Sequence, residues 1–160
     1  MRQAGHHATG LAGGTLVAGA VHLLHPGIPL VDLIAIGGAG WFGGVAPDHL
    51  EYLPFVRIPW VPHRTLTHWG VLWVAGLATS LYVFVHAPTV VPATVLGFAF
   101  GGCLHLLFDW PNPTGVPWIL PVPSWRHSLH LWRSGEHDLA LSITMITAAL
   151  VPWVAIKLFT

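Results

Sequence analysis

His105 and Asp109 sit four residues apart at the end of the apolar stretch GGCLHLLFD, Gly101 to Asp109. On a helix that spacing puts both side chains on one face, about one turn apart. There they can reach one metal ion, or form a hydrogen-bonded pair of purely structural use. A carboxylate at a membrane boundary is costly and usually marks function, which favours the metal. A second cluster lies between Val45 and Gly70, where Asp48 follows an apolar run and His63, Arg64 and His68 precede the next. Imidazole with carboxylate suits zinc, manganese or iron, and a single cysteine, Cys103, gives no closed thiolate site. A divalent ion in such a site lowers the pKa of its water to about 7 and polarises a phosphoryl or carbonyl oxygen. Arg64 adds a guanidinium that can clamp phosphate oxygens.

A third cluster, Ser124 to Ala140, holds His127, His130, Glu136, His137 and Asp138. Glu136 and Asp138, just before the last apolar run, are ligand candidates. His127 and His130, close to Trp125 and Trp132, fit an interfacial segment anchored at headgroup depth. His49 fits a solvated loop histidine, with Glu51 nearby, and His6 and His7 precede the first apolar run.

These residues need elements to bring them together. Of the 160 residues 54% are apolar and only 8% charged, about a third of the charge of a soluble domain. Mean hydropathy is +0.67. The composition is that of an integral membrane protein, and six basic against six acidic residues give no reason to expect nucleic acid. Apolar runs fall at about 9–24, 31–46, 69–85, 90–108 and 139–159. A span needs about 20 residues, about 17 at the least, so the first two are marginal and 31–46 could be re-entrant. No small-residue cleavage pattern closes the first run, which reads as a retained helix. Glycines in the first two runs permit close helix approach, and proline-dense connections predict irregular loops.

If five runs alternate across the membrane, one side receives residues 1–8, the loop from Pro47 to His68 and the loop from Asp109 to Asp138. With His105, less than one turn inside the fourth run, that side then holds nine of twelve histidines, five of six carboxylates and all five arginines. Hydropathy placed the runs without regard to those identities, so the concentration points to a shared site. The arginine bias puts this side in the cytoplasm.

The segments AGH at Ala4 to His6, APD at Ala46 to Asp48, HRTLTH at His63 to His68, GGCLHLLFD at Gly101 to Asp109 and PTGVPWILP at Pro113 to Pro121 carry a resemblance. In order and spacing the chain resembles the LexA-regulated, YdjM-like family of inner-membrane, metal-dependent hydrolase-like proteins, distantly similar to zinc-dependent phospholipase C. The resemblance implies a multi-span protein of the inner (plasma) membrane. It carries the family's polar positions onto His6, Asp48, His63, Arg64, His68, His105 and Asp109. Two departures stand out. The family reads Pro-Asp-x-Asp where this chain has Pro47-Asp48-His49-Leu50, so His49 or Glu51 substitutes or a ligand is lost. Before the last run the family carries a glutamate, for which Glu136 and Asp138 are the local acidic residues.

The expected fold is an all-α bundle of four or five transmembrane helices, one domain over residues 1–160, with a metal site at one membrane face. The expected function is metal-dependent hydrolysis of a phosphoester in a lipid or lipid-linked substrate. His6, Asp48, His63, His68, His105, Asp109 and Glu136 would hold one or two ions, zinc first and manganese or iron as alternatives. Asp48, His68 and Arg64 would carry the chemistry. The rival readings are a noncatalytic membrane protein with a structural metal, a metal transporter or sensor, and a haem-bearing electron-transfer protein; the last would need histidine pairs deep within spans.

Overall fold

The computed structural model describes residues 1–51 and 64–159. Among them the chain forms α1 (Gln3–Leu24), α2 (Leu30–Gly43), the single-turn α3 (Ala46–His49), α4 (Gly70–His86), α5 (Val90–Asp109) and α6 (Asp138–Phe159), with 3-10 turns at Leu66–His68 and Pro123–Trp125. The described residues contain no strand, only an isolated antiparallel bridge between Val116 and His127. The all-helical class is as expected. Helix α5 and the Asp138–Leu158 part of α6 are long and apolar enough to cross a membrane, whereas α2 and α4 are apolar but shorter.

Helix α1 starts at Gln3, six residues ahead of the apolar run, because His6 and His7 continue the helix. A hydropathy boundary stops at polar residues, but a helix does not have to when those side chains find partners inside the fold. Pro47 stands in the first turn of α3, where its missing N–H would have no intrahelical partner anyway.

Helices α1, α2 and α5 meet through small residues. A Cβ placed on Gly40 would lie 2.6 Å from both Gly10 O and Gly14 N, and one on Gly10 would lie 2.6 Å from Gly40 O. Only hydrogen fits there, so α1 and α2 touch backbone to backbone. Gly101 of α5 meets the same seam, within 2.9 Å of Gly44 N by the same construction. Gly38, on the same helix as Gly40, would have nothing within 4 Å of its Cβ. The same substitution is therefore expected to act in opposite directions. Gly40→Ala forces the helices apart and costs about 1–3 kcal/mol; Gly38→Ala gains up to about 1 kcal/mol of helix propensity. Thermal denaturation of both variants in detergent checks this, and equal midpoints would disprove the backbone contact.

Two apolar clusters fill the bundle. Ala18, Val21, Leu33, Ile36, Phe84, Ala93 and Leu96 pack at one end; Ala46, Trp73, Leu106 and Val116 pack beside the polar residues at the other. The histidines outside the candidate set follow this polarity. His25 packs edge-on to Phe84, ring centroids 5.6 Å apart, and His86 lies in the last turn of α4. Helix α6 leans on α1, where Trp153 Nε1 donates to Thr15 O (3.3 Å). It leaves Leu139, Ile143, Ile146, Leu150, Val154 and Leu158 exposed.

The connection after α5 is irregular, as its prolines predict, and folds back over the helix end. Pro117 O and Trp118 O accept from Gly70 N (3.1 Å) and Val71 N (3.0 Å), satisfying two of the free N–H groups at the start of α4. Gly115, at φ 64°, closes a turn in which its N–H donates to Asn112 O (2.9 Å). That left-handed conformation is cheap for glycine, and the turn sets Thr114 beside Arg64.

Candidate metal centre

The end of the bundle where α1 begins and α5 stops gathers polar groups from four elements: His6 from α1, Asp48 from α3, His68 from the 3-10 turn, and His105 with Asp109 from α5. His6, His68, His105 and Asp109 are buried, whereas Asp48 keeps 35% of its side-chain surface exposed. The cluster opens on the Asp48 side.

His105 is oriented by the seam beneath it. Its Nδ1–H donates to Gly44 O at 2.7 Å, and since a carbonyl only accepts, Nε2 is left with a bare lone pair. Around that nitrogen stand His68 Nε2 at 3.2 Å, Asp109 Oδ2 at 3.5 Å and Asp48 Oδ1 at 3.7 Å. Asp48 Oδ1 is itself 3.2 Å from His68 Nε2. An ion in a tetrahedral shell at about 2.1 Å keeps its ligand atoms about 3.4 Å apart. Two overlapping groups, His6–His105–Asp109 and Asp48–His68–His105, can hold a metal ion. The donor set, nitrogen and carboxylate oxygen with a fixed histidine tautomer, fits zinc, manganese or iron.

Asp109 collects cationic and N–H partners on both oxygens. Oδ1 meets the α-amino group of Met1 (2.9 Å), His6 Nε2 (3.3 Å) and Asn112 Nδ2 (3.1 Å). Oδ2 meets an Arg64 guanidinium nitrogen at 2.6 Å. His6 stacks on His105 with ring centroids 3.8 Å apart, and its Nδ1 is buried with no hydrogen-bond partner among the described residues. Arg64, at φ 59°, also donates from its guanidinium to Thr114 Oγ1, and its carbonyl accepts from Arg126 Nε (3.2 Å).

The two groups of this cluster outside the long helices titrate in opposite directions. Burial opposes the charge of Asp48, yet the hydrogen bond from His68 and the positive potential of His105 and His68 hold it below the usual carboxylate range. Burial would lower His68, but hydrogen bonds to Asp48 and Glu51, with the charges of Asp48 and Asp109, raise it above its ordinary value. Metal binding at His68 and Asp48 would therefore compete with protons.

A family model described as YdjM inner membrane protein matches residues 1–159. The chain belongs to the YdjM inner membrane protein family. No curated protein and no solved structure matches it. Membership in YdjM agrees with the apolar helices and with the resemblance carried by the polar segments.

In this YdjM chain five of the seven predicted ligands, His6, Asp48, His68, His105 and Asp109, come together, and Arg64 joins them through Asp109. His63 lies outside the described residues. Glu136 sits elsewhere: it is exposed, its Oε2 accepts from Arg133 N (2.8 Å), and it belongs to neither metal-capable group. Asp138 Oδ2 accepts from Arg2 N (2.9 Å). His49 is exposed, with Nδ1 3.0 Å from Val45 O. His127 Nδ1 accepts from Trp110 Nε1 (2.8 Å). Sequence reasoning missed Asn112, Thr114 and the Gly44 carbonyl. Asn112 could have been found three residues after Asp109, but a backbone carbonyl carries no signal in residue identity.

Proposed function

We propose that this protein is a multi-pass membrane hydrolase, with four or five spans, that cleaves a phosphoester in a lipid or lipid-linked substrate at a metal centre facing the cytoplasm. The observation carrying this reading is the convergence of three metal-capable atoms on one buried, tautomer-fixed nitrogen at the end of an apolar bundle. His105, His68, Asp48 and Asp109 would hold the ion, zinc first and manganese or iron as alternatives, with His6 supporting Asp109. One ion suits the geometry, because both candidate groups draw on His105 Nε2, and one lone pair binds one ion. Once bound, a divalent metal lowers the pKa of coordinated water and polarises a phosphoryl oxygen.

The chain's own residues do the rest. Arg64 neutralises Asp109 and brings positive charge next to the cluster, where it would favour charge developing on phosphoryl oxygens. Asp48, the exposed member, stands where substrate and water enter. An opening at the end of an apolar bundle would lie near the depth of lipid headgroups. A second reading, a structural metal with no turnover, draws on the near-complete burial of the other four residues, since a closed shell leaves no position for water.

The test is metal content by mass spectrometry on detergent-purified protein lacking a chelating tag, followed by assays on phospholipids and lipid phosphates in mixed micelles. About one equivalent of metal with release of a phosphorylated or dephosphorylated product is expected. Metal without turnover would leave the structural reading. Absence of metal after dialysis against zinc and manganese would overturn both.

A further inference from the structure

Glu51 is buried behind His68, three residues after Asp48, and has no assigned role in the metal centre. Its Oε1 accepts from the backbone N–H of Arg64 (2.9 Å) and from the hydroxyl of Thr67 (3.1 Å), and lies 3.5 Å from His68 Nδ1. Thr67 Oγ1 is in turn 3.1 Å from His68 Nδ1. The direction of these bonds is determined. A carboxylate only accepts, so the Thr67 hydroxyl proton points to Glu51, and the Thr67 oxygen is left to accept from His68. On this pattern His68 Nδ1 carries a proton, and its Nε2, facing His105 and Asp48, is the nitrogen turned toward the candidate metal site. We infer that Glu51 is a positioning residue that fixes the tautomer of His68 through Thr67 and anchors the backbone of Arg64.

The second half of that role is visible at Arg64, whose φ of 59° is uncommon for a residue with a side chain. The N–H bond to Glu51 helps hold it there, with the guanidinium delivered to Asp109. One carboxylate oxygen thus steadies a metal ligand and the cation beside it. A carboxylate behind a ligating histidine also raises the basicity of the ligand, and loss of such partners weakens metal binding about 10–100-fold.

This inference rests on the metal-centre reading above. The informative variant is Glu51→Gln, which removes the negative charge behind His68; with its amide nitrogen at the position of Oε1 it would also lose the Arg64 N–H bond and donate to Thr67, releasing the hydroxyl to donate to His68 Nδ1 and reversing the tautomer. Zinc affinity is measured by competition with a chromophoric chelator in detergent, for wild type, Glu51→Gln and Thr67→Val. The expected result is a Kd about 10–100-fold weaker in Glu51→Gln and weaker in Thr67→Val, with metal-free unfolding temperatures close to wild type. In zinc-loaded wild type, 15N spectra should show His68 protonated at Nδ1 and coordinated through Nε2. Equal affinities in wild type and both variants, or coordination through Nδ1, would overturn the role of Glu51 and leave the metal centre standing. A wild type that binds no zinc would overturn both. Should Glu51→Gln fail to fold, Thr67→Val and the wild-type spectrum decide.

Discussion

Replacing His105 by alanine is expected to abolish metal binding, taking bound zinc from about one equivalent to none, while His22→Ala leaves it unchanged. Zinc binding by four-ligand peptide sites is worth about 10–16 kcal/mol, so one ligand of four carries about 3–4 kcal/mol, or about 10²–10³ in Kd. His105 should exceed that share because it is the residue common to both metal-capable groups. Its removal also leaves Gly44 O without the 2.7 Å donor, a buried acceptor whose loss costs about 1–3 kcal/mol, and takes away the ring on which His6 stacks. His22 stacks on Trp153 with centroids 6.0 Å apart and touches none of these groups, so it controls for the loss of an imidazole as such. Metal analysis of the two variants, prepared side by side, checks the expectation. A His105→Ala protein that keeps its full metal content would refute the assignment of Nε2.

The apolar runs foretold five of the helices to within a few residues at most ends, because a helix that faces lipid or other helices must be apolar along most of its length. The exceptions are physical. Helix α1 runs on through His6 and His7 since their partners, His105 and Asp109 for one and the Trp41 ring for the other (centroids 4.3 Å apart), replace the water that hydropathy assumes. The one-turn α3 is too short for any periodicity, although the Pro47-Asp48 pair is a helix-start signal. What could not be read was the seam of α1, α2 and α5: glycines in those runs promised close approach, but not which of them meet. Gly38 and Gly40 look alike in sequence, yet only Gly40 faces the backbone of a neighbour.

The candidate metal centre was legible to the extent that its members are side chains near helix ends. His105 and Asp109 declared themselves by their spacing, and Asp48 and His68 by their place beside apolar runs. His6 was recoverable only by assigning it to the same end of the bundle. Glu136 was a candidate for the same reason, but the chain from Trp110 onward folds back over α5 and spends that carboxylate on its own backbone, at Arg133 N. Glu51 shows the reverse. Proximity to Asp48 suggested a substitute ligand, whereas the 3-10 turn at Leu66–His68 presents the other nitrogen of His68 to it. Which nitrogen faces which carboxylate is decided by the path of the backbone, not by spacing in the chain.

Asp109 separates metal binding from structural pairing. Asp109→Asn preserves shape but removes the charge that faces the Arg64 guanidinium at 2.6 Å and the Met1 ammonium at 2.9 Å. An uncompensated buried charge costs about 3–5 kcal/mol, about 10 °C in the denaturation midpoint of a chain this size. Metal should be lost as well, since an amide oxygen is a far poorer ligand than a carboxylate. The double variant Asp109→Asn with Arg64→Gln takes away the stranded guanidinium and should recover much of the stability, because replacing both members of a buried pair is far milder than breaking it. Metal should not return, since no carboxylate is restored. Denaturation midpoints and metal content of the two variants together check this. If metal content recovered along with stability in the double variant, Asp109 would be a partner of Arg64 alone, and the ligand set would have to be built without it.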